Sequence, residues 1–496
     1  MLIKMTFRLL LRRPVPTLQI VLSILLTVFL SGGSAFARNA DDIVKVLAIG
    51  NSFSEDAIEN NLFDLAREKG IKMVVGNLYI GGAPLTLHVK NTRENNSVYA
   101  YRKTSVDGTR SATPRVSIER ALADEDWDYI SFQQASPLSG QLTTVTESLP
   151  ELLDYVKARS RNPDVKFVYH QTWAYSAHSP HAGFANYEKS QEKMYQAIVN
   201  VSKEVAKMDG IDRVIPAGTA IQNARTSFIG DNFDRDGYHL RMPLGRYVAA
   251  CTWFEKLFGI PVTGMKYKPE GVSEKEKSVA QSAAHFAVEN PYTVTGLTRF
   301  QKAPKGVRHP EAILVDFGGT LHAGPWNPVT SPLEGKTYVL NDSLGRTTRV
   351  HLEMTARFNG KTGGGTAASQ TPYALPGNVT ASAYFGNAKK AVGGGAITES
   401  GFRLTGLRRK GQYDIVLFAS KMGDSLGVQD TRVVCRGKNE QQGSLNATDN
   451  ISGLIVFSGA QPAADGTLTF TVTAGPANTN PDGFYYLSAL RLKTKK

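Results

Sequence analysis

Cysteine is scarce in this chain of 496 residues, with Cys251 and Cys435 the whole supply. Two thiols make no disulfide framework. There is also no CxxC pair and no zinc-ligand spacing, so redox and metal-ribbon functions drop out and no metal is expected. For Cys251, inside the apolar stretch Tyr247 to Phe258, a buried free thiol and an inter-domain disulfide to Cys435 both stay open. Clustered charge is missing as well. The formal net charge is +13, but the basic residues are spread out, without the run of Lys and Arg and the stacking aromatics that a nucleic-acid surface needs. No nucleic-acid partner is expected. A solvated surface accounts for the spread charge, with mild attraction to acidic glycans as the alternative.

Long apolar runs are absent after the first 37 residues. Within them, Lys4, Arg8, Arg12 and Arg13 precede the apolar stretch Leu18 to Leu30, and Ala35-Phe36-Ala37 has the small-x-small form of a cleavage site. The apolar part is short for a membrane span, which needs about 20 residues, and no cysteine follows it as a lipid anchor point. Residues 1–37 therefore read as a signal peptide, cleaved after Ala37, of a secreted or periplasmic protein without an integral membrane segment. The leader holds four bases and no acids, so its removal takes the net charge from +13 to +9.

What remains exceeds a single core, and its character changes near residue 300. Before that point short apolar runs alternate with helical patterns. Strands are predicted at Val44 to Ile49, Met73 to Tyr79, Tyr129 to Phe132, Lys166 to Tyr169 and Arg213 to Pro216. Helices are predicted at Glu55 to Lys69 (stopped by Gly70), Glu151 to Ala158 and Tyr187 to Met208. This alternation predicts a three-layer α/β domain on a parallel sheet over 38–300. Gln301 to Pro310, with two prolines and several bases, reads as a linker. Over 311–496 seven short β-rich runs (Ile313 to Phe317, Thr348 to Met354, Tyr413 to Ala419, Thr431 to Cys435, Leu454 to Phe457, Thr467 to Thr473 and Tyr485 to Leu492) are separated by turn residues. They predict an antiparallel β-sandwich. No internal repeat is visible. The patches Gly363 to Gly365 and Gly393 to Gly395 read as loops, since neither precedes a helix or a P-loop Lys-Ser/Thr.

The most informative stretch is Gly50-Asn51-Ser52-Phe53-Ser54, directly after the first strand. A strand, a tight turn and a helix put the Ser52 hydroxyl at the carboxyl edge of the sheet, where open α/β folds hold their ligands. Ser52 as a simple helix cap is the plainer alternative, but Ser54 could serve as the cap instead. Far downstream, Asp236-Gly237-Tyr238-His239 supplies an acid and an imidazole three residues apart in a polar loop. A serine becomes a useful nucleophile when a base takes its proton and a carboxylate fixes that base. His239 is the candidate base and Asp236 the orienter, with Asp231 and Asp234 as nearby competitors. Backbone N–H groups of Ser52, at a helix N-terminus, and of Gly82, which lets the main chain approach a ligand, are candidate oxyanion donors. Trp173 and Tyr175 are candidate sugar-stacking residues, and for His88 a place lining the pocket and a place in the packed core both stay open. His170, His178 and His181 beside them lack a carboxylate at metal-ligand spacing.

With Gly81-Gly82-Ala83-Pro84-Leu85 and Gln133-Gln134 added, the order of motifs resembles the SGNH/GDSL hydrolases over roughly residues 43 to 260. The resemblance is to their bacterial domain-of-unknown-function branch with a Gly-Asn-Ser-Phe-Ser start. It implies a flavodoxin-like SGNH domain, a serine esterase chemistry without cofactor, and the Asp236-to-His239 spacing as the working pair. It also implies a side-chain amide after the third strand. The family has Asn there, whereas this chain offers Gln134 as the preferred oxyanion donor or Gln133 as the alternative. Asn51 stands where the family has Asp and reads as structural. The ending Gly483 to Leu492 looks like the last strand of jelly-roll, galactose-binding-like modules, which implies a carbohydrate-binding sandwich. The expectation is an esterase removing short acyl groups, acetyl above all, from carbohydrate. Alternatives are an inactive carbohydrate-binding surface protein and a lipase or thioesterase.

Overall fold

The apolar run before Ser52 becomes a strand buried on both faces. In the computed structural model, which describes residues 42–302, 306–319, 324–373, 375–390, 395–423 and 426–495, it is β1 (Ile43–Gly50). The leader expected at 1–37, part of the linker at 301–310 and part of the patch Gly393 to Gly395 lie outside the described residues. β1 pairs in parallel with β2 (Lys72–Tyr79) on one side and β5 (Tyr129–Phe132) on the other. β6 (Lys166–His170) and β7 (Arg213–Ile215) extend the parallel part. Beyond β2 the sheet continues antiparallel through β3 (Tyr99–Thr104) and β4 (Arg110–Val116), giving the order β4-β3-β2-β1-β5-β6-β7.

The sheet is thus mixed, not wholly parallel as expected. The hairpin escaped the sequence reading because β4 is an exposed edge strand with a proline and no apolar alternation, the composition that keeps an edge from pairing further. Alternate residues of β1 feed two cores. Val44, Val46 and Ala48 pack with helices α1 (Ser52–Ile58) and α2 (Leu62–Glu68), while Leu47 and Ile49 pack on the other face with α3 (Leu85–Arg93) and α4 (Leu149–Arg159). The helix predicted over 55–69 is these two shorter helices, and Ile58, Leu62, Leu65 and Ala66 along them are all buried. Likewise Ser190 caps α5 (Gln191–Val205), so the helix predicted from Tyr187 starts four residues later, after a 3-10 turn that ends at Tyr187. α6 (Ala217–Arg225), α7 (Leu244–Phe258) and α8 (Glu274–Glu289) close the first core.

After residue 306 the described chain is almost all β. All seven predicted runs fall in strands, and the run ending the chain splits at Ser488 between two sheets. A six-stranded and a five-stranded sheet share one core that includes Phe317, Phe402, Phe470 and Tyr485, and Phe402 stacks on Phe470 at 4.5 Å. A three-stranded sheet containing Gly360–Gly363 flanks them. Among the described strands here, pairing is antiparallel except between Ile313–Phe317 and Asn327–Val329. The extra strands beyond the seven are short or polar, as in Glu440–Asn446. From Ile43 onward the chain forms one compact unit, within which the hydrophobic cores before residue 300 and after residue 312 are separate. Both cysteines are buried and free, which excludes the disulfide alternative. Among the described residues no helix is long and apolar enough to cross a membrane.

Candidate active site

The turn after β1 is dictated by what surrounds Gly50. A Cβ there would lie 2.6 Å from Ser54 Oγ and 3.2 Å from Gln133 Cδ. Asn51, not Ser54, caps α1: its Oδ1 accepts the Phe53 N–H at 3.0 Å, and its Nδ2 donates to Ala83 O at 3.0 Å. Ser54 Oγ instead donates to Asn51 O at 2.7 Å and meets Asn77 Oδ1 at 2.9 Å. Ser52, the first residue of the helix, is half-buried, with its hydroxyl free to face another group.

That group is His239. Its Nε2 lies 2.8 Å from Ser52 Oγ, and its Nδ1 lies 2.7 Å from Asp236 Oδ2. The other carboxylate oxygen of Asp236 accepts the backbone N–H of His239 at 2.8 Å and of Tyr238 at 3.2 Å. Burial pushes the Asp236 carboxyl upward, but the His239 ring and backbone N–H and the Arg235 charge outweigh it and hold the group below its ordinary value. Asp236 is therefore an anion facing the imidazole. The competing acids have other work. Asp231 pairs with Arg225 at 2.8 Å, and Asp234 Oδ1 accepts the Gly237 N–H at 2.7 Å, fixing the left-handed turn at Gly237 (φ +96°).

Two regions of the fold hold this loop. From α1, buried Asp56 accepts the Leu240 N–H at 2.6 Å and pairs with Arg235 at 3.1 Å and Arg246 at 2.5 Å. From the sandwich, the buried Lys336 ammonium sits 2.9 Å from Asp234 Oδ2 and donates to Asp231 O at 2.6 Å, while the Thr337 N–H donates to Asn232 Oδ1 at 3.1 Å. Sequence reasoning missed Asp56, Arg235 and Lys336. Asp56 stands one helical turn after Ser52, which is a local signal. Nothing local marks Lys336, since its partner is 102 positions away.

Gly82 has φ +68° with open space where a Cβ would stand, and its amide has no acceptor among the described residues. The Gln expectation fails. Gln134 is fully buried, its Oε1 accepting from Leu85 and Ala135 N–H and its Nε2 donating to Thr144, so its amide is spent on local structure. Gln133 donates to Asn51 Oδ1 at 2.7 Å and meets His170 Nδ1 at 2.8 Å. It backs the turn that carries Ser52 and, through the Asn51–Ala83 bond, ties that turn to Gly82. Burial drives the His170 pKa down to about 3, leaving a neutral ring in this chain of bonds.

The expected stacking platform also moves inside. Trp173 and Tyr175 are fully buried. Trp173 stacks on Phe53 at 4.3 Å and donates its indole N–H to Tyr238 O at 2.7 Å, bracing both the nucleophile turn and the histidine loop, while Tyr175 OH bonds Ser136 at 2.8 Å. His88 is a core residue beside Tyr99 OH at 2.8 Å, its pKa lowered to about 4 by burial. Aromatic surface at the rim comes instead from half-buried Tyr238, 4.2 Å from the His239 ring and 4.8 Å edge-on to His181. Among the described residues no group of three His, Cys, Asp or Glu is placed to hold a metal ion.

A family profile described as "Domain of unknown function (DUF4886)" matches residues 45–287. A crystal structure of a DUF4886 family protein from Bacteroides uniformis ATCC 8492 is similar at 53% identity and a TM-score of 0.51, over 52% of this chain and 100% of that one. TesA is a distant structural neighbour, with 12% identity and a TM-score of 0.26 over 40% of this chain and 88% of that one. No curated protein matches the chain.

Proposed function

The chain belongs to the DUF4886 family, and we propose that it is a serine esterase of SGNH type, using Ser52, His239 and Asp236 to remove short acyl groups from carbohydrate. The observation that carries the reading is the continuous chain of contacts from Ser52 Oγ to His239 at 2.8 Å and on to Asp236 at 2.7 Å, ending in an ionised carboxylate. The pattern is that of an activated hydroxyl, since the imidazole can accept the Ser52 proton while the carboxylate fixes its tautomer and balances the charge that forms.

The steps follow. Ser52 Oγ attacks the ester carbonyl as His239 Nε2 takes its proton. The developing oxyanion meets the backbone N–H groups of Ser52 and Gly82, and each such donor contributes on the order of 10²–10³ in rate in other hydrolases. His239 then protonates the departing alkoxide, leaving an acyl group on Ser52. Water attacks that acyl-enzyme, giving its proton to His239, and collapse returns the proton to Ser52 Oγ and frees the acid. No residue in these steps calls for a cofactor. The leader pattern at 1–37 supports a secreted or periplasmic site of action, and an appended sandwich suits an enzyme working on glycans.

Hydrolysis of p-nitrophenyl acetate by the purified chain beside its Ser52→Ala variant tests the proposal. The variant is expected to lose at least about 10³-fold in kcat. Equal rates would end the esterase reading and leave a binding protein.

A further inference from the structure

A cavity of about 270 Å³ lies against the Asp236–His239 loop, lined by Arg235, Met242 and Arg246 from the α/β region and by Thr330 and Lys361 from the sandwich. Three of the five side chains are cations. Arg235 and Arg246 share the buried Asp56 carboxylate, and Arg246 also reaches Glu55 at 3.2 Å. No carboxylate among the described residues lies within ion-pairing distance of Lys361. Burial and the Arg235 charge draw that ammonium below its ordinary value, and the Asp236 and Asp316 charges only partly offset them.

The Lys361 ammonium, unpaired beside two guanidiniums, is costly unless something negative enters, because interior charges are stable only when paired. A carboxylate in the cavity would pair it with a charge-assisted bond. Its source is suggested by position. Arg235 immediately precedes Asp236, and its backbone N–H donates to His239 O at 2.9 Å, so the cavity shares main chain with the acid–base loop. The volume is near the lower end of small-molecule sites, about 300 Å³, and suits one charged sugar unit.

We propose that this cavity binds the carboxylate of the substrate, so that the preferred esters are those of acylated acidic sugars. The inference rests on the esterase reading, and the experiment separates the two. Full-length protein is assayed on a matched pair, an O-acetylated methyl glucuronoside and the corresponding neutral glucoside, with free glucuronate and inorganic sulfate as competitors. The wild-type chain should favour the acidic ester by about tenfold to a hundredfold in kcat/KM, the range of a charge-assisted bond, with the gain in KM. In Lys361→Met the ratio of the two substrates should fall toward one, and Lys361→Arg should keep it.

A wild-type ratio near one overturns the proposal, as does a ratio that survives in Lys361→Met. Inhibition by glucuronate or sulfate with no preference between esters would mean that the cavity takes a free anion, and the substrate assignment would fall. Should wild type cleave neither sugar ester nor p-nitrophenyl acetate, the esterase reading is what fails. Calorimetry with glucuronate, comparing wild type with Lys361→Met, then decides the cavity on its own, and equal binding or none overturns it.

Discussion

The α/β region supplies every group proposed to react, and the sandwich supplies none, yet both grip the same loop. The α/β grip is an acid: Asp56 holds the Leu240 N–H and two guanidiniums. The sandwich grip is a base: Lys336 reaches Asp234, whose other oxygen fixes Gly237 beside Asp236. The family match ends at residue 287, so the second grip lies outside it. The difference teaches that reacting atoms and their alignment have separate origins here. The proposed chemistry sits on a sheet edge within the matched region, while part of the loop's geometry is held from a region more than a hundred residues downstream.

That division can be attacked from either side. The largest effect should come from Ser52→Ala, which removes the attacking atom and costs at least about 10³-fold in turnover without moving either grip. Asp236→Asn should lose about 10²–10⁴-fold, since the neutral amide cannot hold the imidazole tautomer or balance its charge; retention of full activity on p-nitrophenyl acetate would place the orienting role on another acid. Lys336→Met is the direct test of the sandwich grip. Stripping one partner from a buried pair costs about 3–5 kcal/mol, so the melting temperature should drop and kcat should fall about tenfold with KM little changed. Lys336→Met combined with Asp234→Asn, which leaves no lone charge and keeps an acceptor for Gly237, should recover most of both. An unaltered melting curve for Lys336→Met would show that the grip contributes nothing.

The smallest effect belongs to the sandwich alone. Burial pushes Asp316 up to about 7, against the Gly319 N–H and the Lys361 charge that pull the other way. Its folded value stands above its unfolded one, so its contribution to stability is complete below about pH 4 and is lost as pH rises through about 7. Asp316→Asn should gain on wild type by a few degrees in thermal melts as pH goes from 5 to 8. A constant difference across that range would contradict the assignment.

How much of this was written locally explains what could be read. β1, the Gly50 turn and the Asp236-to-His239 spacing each sit within a few consecutive residues, where period and turn chemistry are visible. The side chains beside them were misjudged wherever burial decided the role. Gln134, Trp173 and Tyr175 follow strands or turns just as pocket residues do, but packing turned each of them inward, onto Thr144, Phe53 and Ser136 respectively. Lys336 and Lys361 were illegible for another reason. A lone lysine in a β-rich run looks like any solvated residue, and only the docking of one layer on the other distinguishes a paired ammonium from an unpaired one.

Asp56 has a mechanical consequence. Its carboxylate takes one backbone amide and two guanidiniums at once, so pulling the serine helix away from the imidazole loop would strip a buried carboxylate of the Leu240 amide and the Arg235 guanidinium. The two segments are therefore tethered to each other through one buried side chain, and that tether sits four residues along the helix from the hydroxyl that stands 2.8 Å from the His239 ring.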